Sequence, residues 1–133
     1  MPSNKQVSPT LEKKGFVNED AAVLLPGLAV KYGQAEHGCA RVAAANGRAM
    51  GVVALDQAQG QGDMTAVHIG FGEACYVRAG AAFAYGAYLT TDATGRWVTA
   101  ASGQLVQAES LGAAAAIDDL VGAIRHSGLS VAP

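Results

Sequence analysis

The sequence predicts a mainly β protein, a sandwich or barrel of short antiparallel strands, on three observations. Turn signals recur roughly every 6 to 12 residues from Ala21 onward, among them Pro26-Gly27, Asn46-Gly47, Gly60 to Asp63, Asp92 to Gly95 and Ser102-Gly103. The segments between them alternate: "LAVKY" sets Leu28, Val30 and Tyr32 on one face, and "MTAVHI" does the same with Thr65, Val67 and Ile69. The stretch "TTDATGRWVTAASGQL" bends at Asp92–Gly95 and again at Ser102-Gly103, which makes a strand–turn–strand–turn module around the single tryptophan.

Residues 1–20 stand apart. They hold Pro2, Pro9 and three lysines, show neither helical nor alternating period, and cannot offset their own ordering entropy. Val7, Leu11, Phe16 and Val17 are scattered through them as anchors. Two readings stay open: a frayed terminus, or an extended arm that adds a strand to a partner's sheet edge. The organisation expected is therefore an N-terminal arm over 1–20 and a β-rich domain over 21–133.

Within that domain the strands expected are "LAVKY", "AMGVVAL", "MTAVHI", "EACYVRA", "AYLTT" and "RWVTA". The segment "AAAAIDDLVGAIRH" is ambiguous. Ile117, Leu120, Val121 and Ile124 form a helical stripe, yet the same residues read as a loop ending at Asp118-Asp119 and then a strand. An internal repeat tips the balance to strand. Sliding the chain by 56 residues lays Val42 on Val98, Ala44 on Ala100, Gly47 on Gly103, Leu55 on Leu111 and Asp63 on Asp119.

Bulk properties narrow the function. At 133 residues the chain suits one domain, and its hydrophobic half is largely alanine, with only 6% aromatic residues. Little large-side-chain area is on hand to bury, so stability is expected to come from neighbours. A net charge of −2 without a basic stripe argues against nucleic acid as a partner. No apolar leader precedes the domain and no apolar run approaches the roughly 20 residues of a membrane span, so a chain made in the cytoplasm without a membrane partner is expected. Cys39 and Cys75 read as small core residues.

No catalytic motif stands out. The glycines lack the Lys-Ser/Thr pair of a phosphate loop, and no spaced Cys or His pairs mark a metal centre. His37 and Cys39, with His68 and Cys75, are the best metal candidates, but their spacing reads as a surface histidine beside two buried thiols. Asp118-Asp119 and Asp63 read as solvated turns, and His126 as a solvent-facing end of a strand. Trp97 suits core or interface packing better than stacking on a ligand, and with Tyr85 and Tyr88 it marks a candidate oligomer or packing interface. A non-enzyme without metal or cofactor is expected.

The strings "GVVALDQAQGQGDMTAVHIGFGEACYVRAG" and "YGAYLTTDATGRWVTAASGQLVQAES" resemble the small capsid decoration (cement) proteins of tailed double-stranded-DNA phages. The matching positions are Gly51 to Leu55, Gly62 to Val67, Gly72 to Gly80 and Gly86 to Arg96. The resemblance implies a compact β-barrel or β-tulip-like domain with an extended N-terminal arm, bound to the outer surface of the expanded head. It implies the major capsid protein as partner, a homotrimer at three-fold and quasi-three-fold positions, and a clamp against the pressure of packaged DNA. On that reading Val7, Leu11, Phe16 and Val17 are the capsid-binding residues of the arm. The longer polar arm and the "AAAA" run before Asp118 depart from the family pattern. Alternatives are another virion part, in the tail or baseplate, and a small ligand-binding β domain using Trp97 with Asp92.

Overall fold

The computed structural model of this chain describes residues 13–54 and 59–133. Ten strands follow one another: β1 (Lys13–Asn18), β2 (Ala29–Tyr32), β3 (Gly38–Arg41), β4 (Gly51–Val53), β5 (Met64–His68), β6 (Ala74–Arg78), β7 (Tyr88–Thr91), β8 (Trp97–Thr99), β9 (Ala108–Ser110) and β10 (Leu120–Arg125). No helix occurs among the described residues. The first five strands close into a barrel, β1-β3-β2-β4-β5, with β5 returning to β1. The last five form a second sheet in the order β6-β10-β9-β7-β8. Every strand pairing is antiparallel except β1 with β3.

The two halves are one unit used twice. Starting from β3, the first reads β3-β2-β4-β5-β1; starting from β8, the second reads β8-β7-β9-β10-β6. The register agrees pair by pair. Val30↔Arg41 matches Leu89↔Thr99, Ala29↔Val52 matches Tyr88↔Glu109, and Val17↔Met64 matches Arg78↔Leu120. The parallel pair Asn18↔Cys39 that closes the barrel has its counterpart in a lone parallel bridge, Ala79↔Trp97. The repeat spacing shrinks from 61 residues (Lys13 to Ala74) to 56 (Met64 to Leu120), because the intervening loops differ in length. Asp63 and Asp119 are therefore true equivalents, and each carboxylate caps its turn by accepting a backbone N–H, from Gly60 at 3.0 Å and from Ala116 at 3.1 Å. In the middle of the repeat the 56-residue slide is out of step by one. The left-handed turn residue matching Asn46 (φ 60°) is Gly103 (φ 85°), 57 positions on.

Side-chain alternation builds two cores. Phe16, Leu24, Leu28, Val30, Cys39, Val53 and Val67 fill the barrel. Ala29 and Val52, adjacent across β2 and β4, point the other way and join Val42 and Ala49 in a core shared with the second unit, around Trp97, Leu89, Val77 and Phe83. The Asp92–Gly95 hairpin lies on the barrel: Gly95 O accepts from Ala29 N at 2.8 Å, and a Cβ at Gly95 would sit 2.7 Å from Arg41 Cγ. The module that opens "TTDATGRW" thus couples the units.

Two expectations shift, and the choice of strand for the last segment holds. The stretch 1–20 is not wholly an arm, since residues 13–18 are barrel strand β1, held along its length by β5 and at its end by β3. Strands β3 ("GCAR") and β9 ("AES") were not foreseen; each is only three or four residues long and too rich in small or charged side chains to alternate visibly. Residues 120–125, ambiguous by local pattern, are strand β10.

Candidate functional site

The feature with functional geometry is the seat that one unit makes for the other. The turn Asn46-Gly47-Arg48-Ala49 of the barrel docks on the end of the second sheet. Asn46 N donates to Thr91 O at 2.8 Å, and Gly47 O accepts from Thr91 Oγ1 at 2.6 Å and from Gln107 Nε2 at 2.8 Å. Ala49 N donates to Gln107 Oε1 at 2.8 Å, and Ala49 O accepts from Arg125 Nη2 at 3.3 Å. Thr90 Oγ1 completes the set by donating to Asn46 Oδ1 at 3.0 Å. Gln107 is fully buried, so these bonds satisfy groups that no solvent reaches.

Arg125 is the unusual member. It is 2% exposed, has no carboxylate partner among the described residues, and lies over the rings of Phe71 (5.2 Å) and Trp97 (5.8 Å). Its Nη1 has no hydrogen-bond partner, and burial pulls its pKa below the ordinary guanidinium value. Two aromatic faces and carbonyl oxygens replace the usual anion.

Carried onto the barrel by the repeat, Thr90, Thr91, Gln107 and Arg125 become Lys31, Tyr32, Met50 and Ile69. These four line an open cavity of about 310 Å³, together with Phe71 and the Arg48 side. Among the described residues no carboxylate lines it. The barrel therefore presents, unfilled, the site that its own turn fills on the second unit.

The residues singled out from sequence fall elsewhere. Val7 and Leu11 lie outside the described residues. Phe16 is buried in the barrel and meets Tyr32 edge-on at 6.4 Å, while Val17 is half-buried in β1, so neither sits on a free arm. Trp97 is 0% exposed at the heart of the shared core, the core alternative of its reading. Tyr85 and Tyr88 are exposed, 73% and 45%, on the second unit.

Cys39 and Cys75 are free and buried, and burial pushes each thiol up to about 11, which keeps them protonated near neutrality and poor as nucleophiles or ligands. Among the described residues no group of three His, Cys, Asp or Glu side chains could hold a metal ion. His37 is exposed in a left-handed turn, and His126 Nε2 lies 3.5 Å from Glu109 Oε1. Asp118 receives Arg96 Nε at 2.8 Å and Arg78 Nη1 at 3.5 Å, and the Arg96 hydrogen bond holds its carboxyl below the usual range. Arg78 also donates to Pro26 O at 2.8 Å, so this cluster braces the joint between the units. Lys31, Met50, Ile69, Gln107 and Arg125 were missed; the sequence signal that leads to them is the repeat, once its middle is set 57 to 59 residues apart (Met50 to Gln107, Lys31 to Thr90).

No protein-family model matches the sequence, and no curated protein does either. Among solved structures the fold is shared with the N base of head fiber gp8.5 in bacteriophage phi29. The two agree with a TM-score of 0.68 at 20% identity, covering 89% of this chain and 96% of that one. At that identity the likeness establishes the all-β, barrel-containing fold.

Proposed function

We propose that this chain is a structural component of a phage virion that decorates the outer surface of the head, gripping neighbouring major capsid subunits against the pressure of packaged DNA. The observation that carries the reading is the near full-length likeness to the base of a phage head fiber. The resemblance of the strings from Gly51 to Gly80 and from Tyr85 to Ser110 to cement proteins of tailed phages points the same way. In this reading the protein does no chemistry and takes no cofactor. It acts by area, as a standard interface of about 1,600 Å² per copy multiplied over several subunits. Self-association, as a homotrimer at three-fold and quasi-three-fold positions, adds avidity.

Co-sedimentation with expanded heads assembled without this protein tests the reading. The full chain should pellet with them at a fixed ratio to the major capsid protein. Failure to pellet at any concentration refutes it. Removing residues 1–12 leaves β1 intact, so it asks whether Val7 and Leu11 act as anchors; undiminished binding would take them out of the mechanism. A fiber base as neighbour favours a second reading, in which the same domain seats a longer appendage, and electron microscopy of decorated heads separates the two by what projects from the shell.

A further inference from the structure

We propose that the open cavity at the end of the barrel is the seat for a tight turn of a shell subunit, one that carries a carboxylate beside an apolar side chain. This deepens the head-decoration reading and rests on it, by naming the surface that meets the shell.

The filled copy of the site shows the form of the occupant. On the second unit the guest is a turn with a left-handed residue, Asn46, followed by glycine, and it is gripped through its backbone. The barrel keeps the same backbone frame, because β2, β4 and β5 match β7, β9 and β10 in register.

A second copy of this chain does not supply the guest. The counterpart of the Asn46–Ala49 turn is Gly103–Val106, and its backbone is already engaged. Gly103 N donates to Ala132 O at 2.9 Å and Val106 N to Ser130 O at 3.0 Å, the two N–H groups equivalent to those of Asn46 and Ala49. The C-terminal residues cap that end of the molecule, as terminal repeats are capped in solenoids. One end is closed and one is open.

Chemistry at the open end selects the guest. Where the filled site has the Gln107 amide and the Arg125 guanidinium, the open one has Met50 and Ile69 beside Phe71, an apolar floor. Where it has the Thr90 hydroxyl, the open one has the Lys31 ammonium, with Arg48, which donates to Ser127 O at 3.0 Å and Gly128 O at 3.3 Å, as a second cation and no carboxylate among the described lining residues. A guest with an apolar side chain on the floor and a carboxylate between Lys31 and Arg48 fits both features.

The test uses the full chain, heads assembled without it, and two variants. Met50→Asp places a charge on the floor, and Lys31→Glu reverses the exposed rim. Both should stay folded by circular dichroism and bind heads about tenfold or more weakly. The Lys31→Glu loss should shrink as salt is raised. Leu111→Asp, at an exposed position of the second unit outside the cavity lining, should bind as the parent does. If the parent binds and both folded variants bind equally well, the site is wrong while the head-decoration reading stands. If the parent itself does not bind, that reading fails and this inference with it. If sedimentation shows the parent self-associating and Met50→Asp abolishing it, the guest is a second copy and the proposal is overturned.

Discussion

Replacing Gln107 by leucine tests whether a polar joint holds the two units together. The side chains are similar in size, so the change removes hydrogen bonds with little change in volume. Ala49 N loses its partner at 2.8 Å and stays buried, which costs about 1–3 kcal/mol for an unsatisfied amide. The other two bonds are lost more cheaply. Gly47 O keeps Thr91 Oγ1 at 2.6 Å and the Thr90 hydroxyl keeps Asn46 Oδ1 at 3.0 Å, so neither group is orphaned. Each such bond is worth about 0.5–1.5 kcal/mol net, and the greater burial gain of leucine offsets part of that. The expected loss is about 2–4 kcal/mol, which for a chain of this size lowers the melting temperature by roughly 8–15 °C. Gln104→Leu is the control: Gln104 Oε1 caps only the exposed Ala101 N, which water can serve, and should cost under about 1 kcal/mol. Urea unfolding followed by tryptophan fluorescence reads both, since Trp97 sits in the shared core. Equal midpoints for Gln107→Leu and the parent would refute the idea that this amide couples the units.

Trp97→Ala empties the centre of the shared core and should cost about 3–5 kcal/mol, read by chemical denaturation; a loss under 1 kcal/mol would contradict its burial. Cys39 and Cys75, both pushed up to about 11, should resist a thiol reagent at pH 8 in the native protein and react together once urea unfolds it, which mass spectrometry counts. Glu19 accepts from Gln34 N and Ala35 N and Asp118 from Arg96, so both carboxyls sit below their ordinary values of 4.5 and 3.8. Folded values below unfolded ones mean that this stabilisation is complete above about pH 5 and is lost as the pH falls through and below those values; Glu19→Gln should flatten the acid limb of a melting-temperature profile. The fragment 74–133 should be unfolded alone, because Ala29, Val42, Ala49 and Val52 of its core belong to the barrel; a dispersed amide spectrum for that fragment would contradict the shared core.

Much of the fold was legible because turns announce themselves chemically. Gly27, Gly62, Gly72, Gly86, Gly95 and Gly103 all adopt the positive φ that makes glycine worth placing, and strands β5, β6 and β10 alternate in burial along their length, whereas β2 does not. What stayed hidden depended on partners distant in sequence. Strand β1 carries proline-bordered, lysine-rich sequence and becomes a strand through β5, more than 45 residues away (Val17 to Met64). The two units bury apolar surface on each other, since the cluster around Trp97 draws on both halves of the chain. The candidate site was illegible because none of its members has distinctive chemistry. Met50 and Ile69 are ordinary apolar residues until the repeat sets them opposite Gln107 and Arg125.

A unit that docks on its own duplicate carries a hazard. If both copies kept the donor turn and the acceptor seat unchanged, the second unit of one chain would dock on the first unit of the next, and a heterologous contact of that kind grows into rings or fibres. The two ends of this chain differ in ways that bear on that hazard. At the donor end Ser130 and Ala132 take the turn's hydrogen bonds, and Leu105 bridges to Val131, so an edge that could recruit another chain is paired internally. At the acceptor end the groups that read a polar turn, Gln107 and Arg125, give way to Met50 and Ile69, and Thr90 gives way to a lysine. Divergence at these positions leaves the two seats alike in register and unlike in chemistry, so a turn that suits the Gln107 amide and the Arg125 guanidinium meets Met50 and Ile69 at the barrel instead.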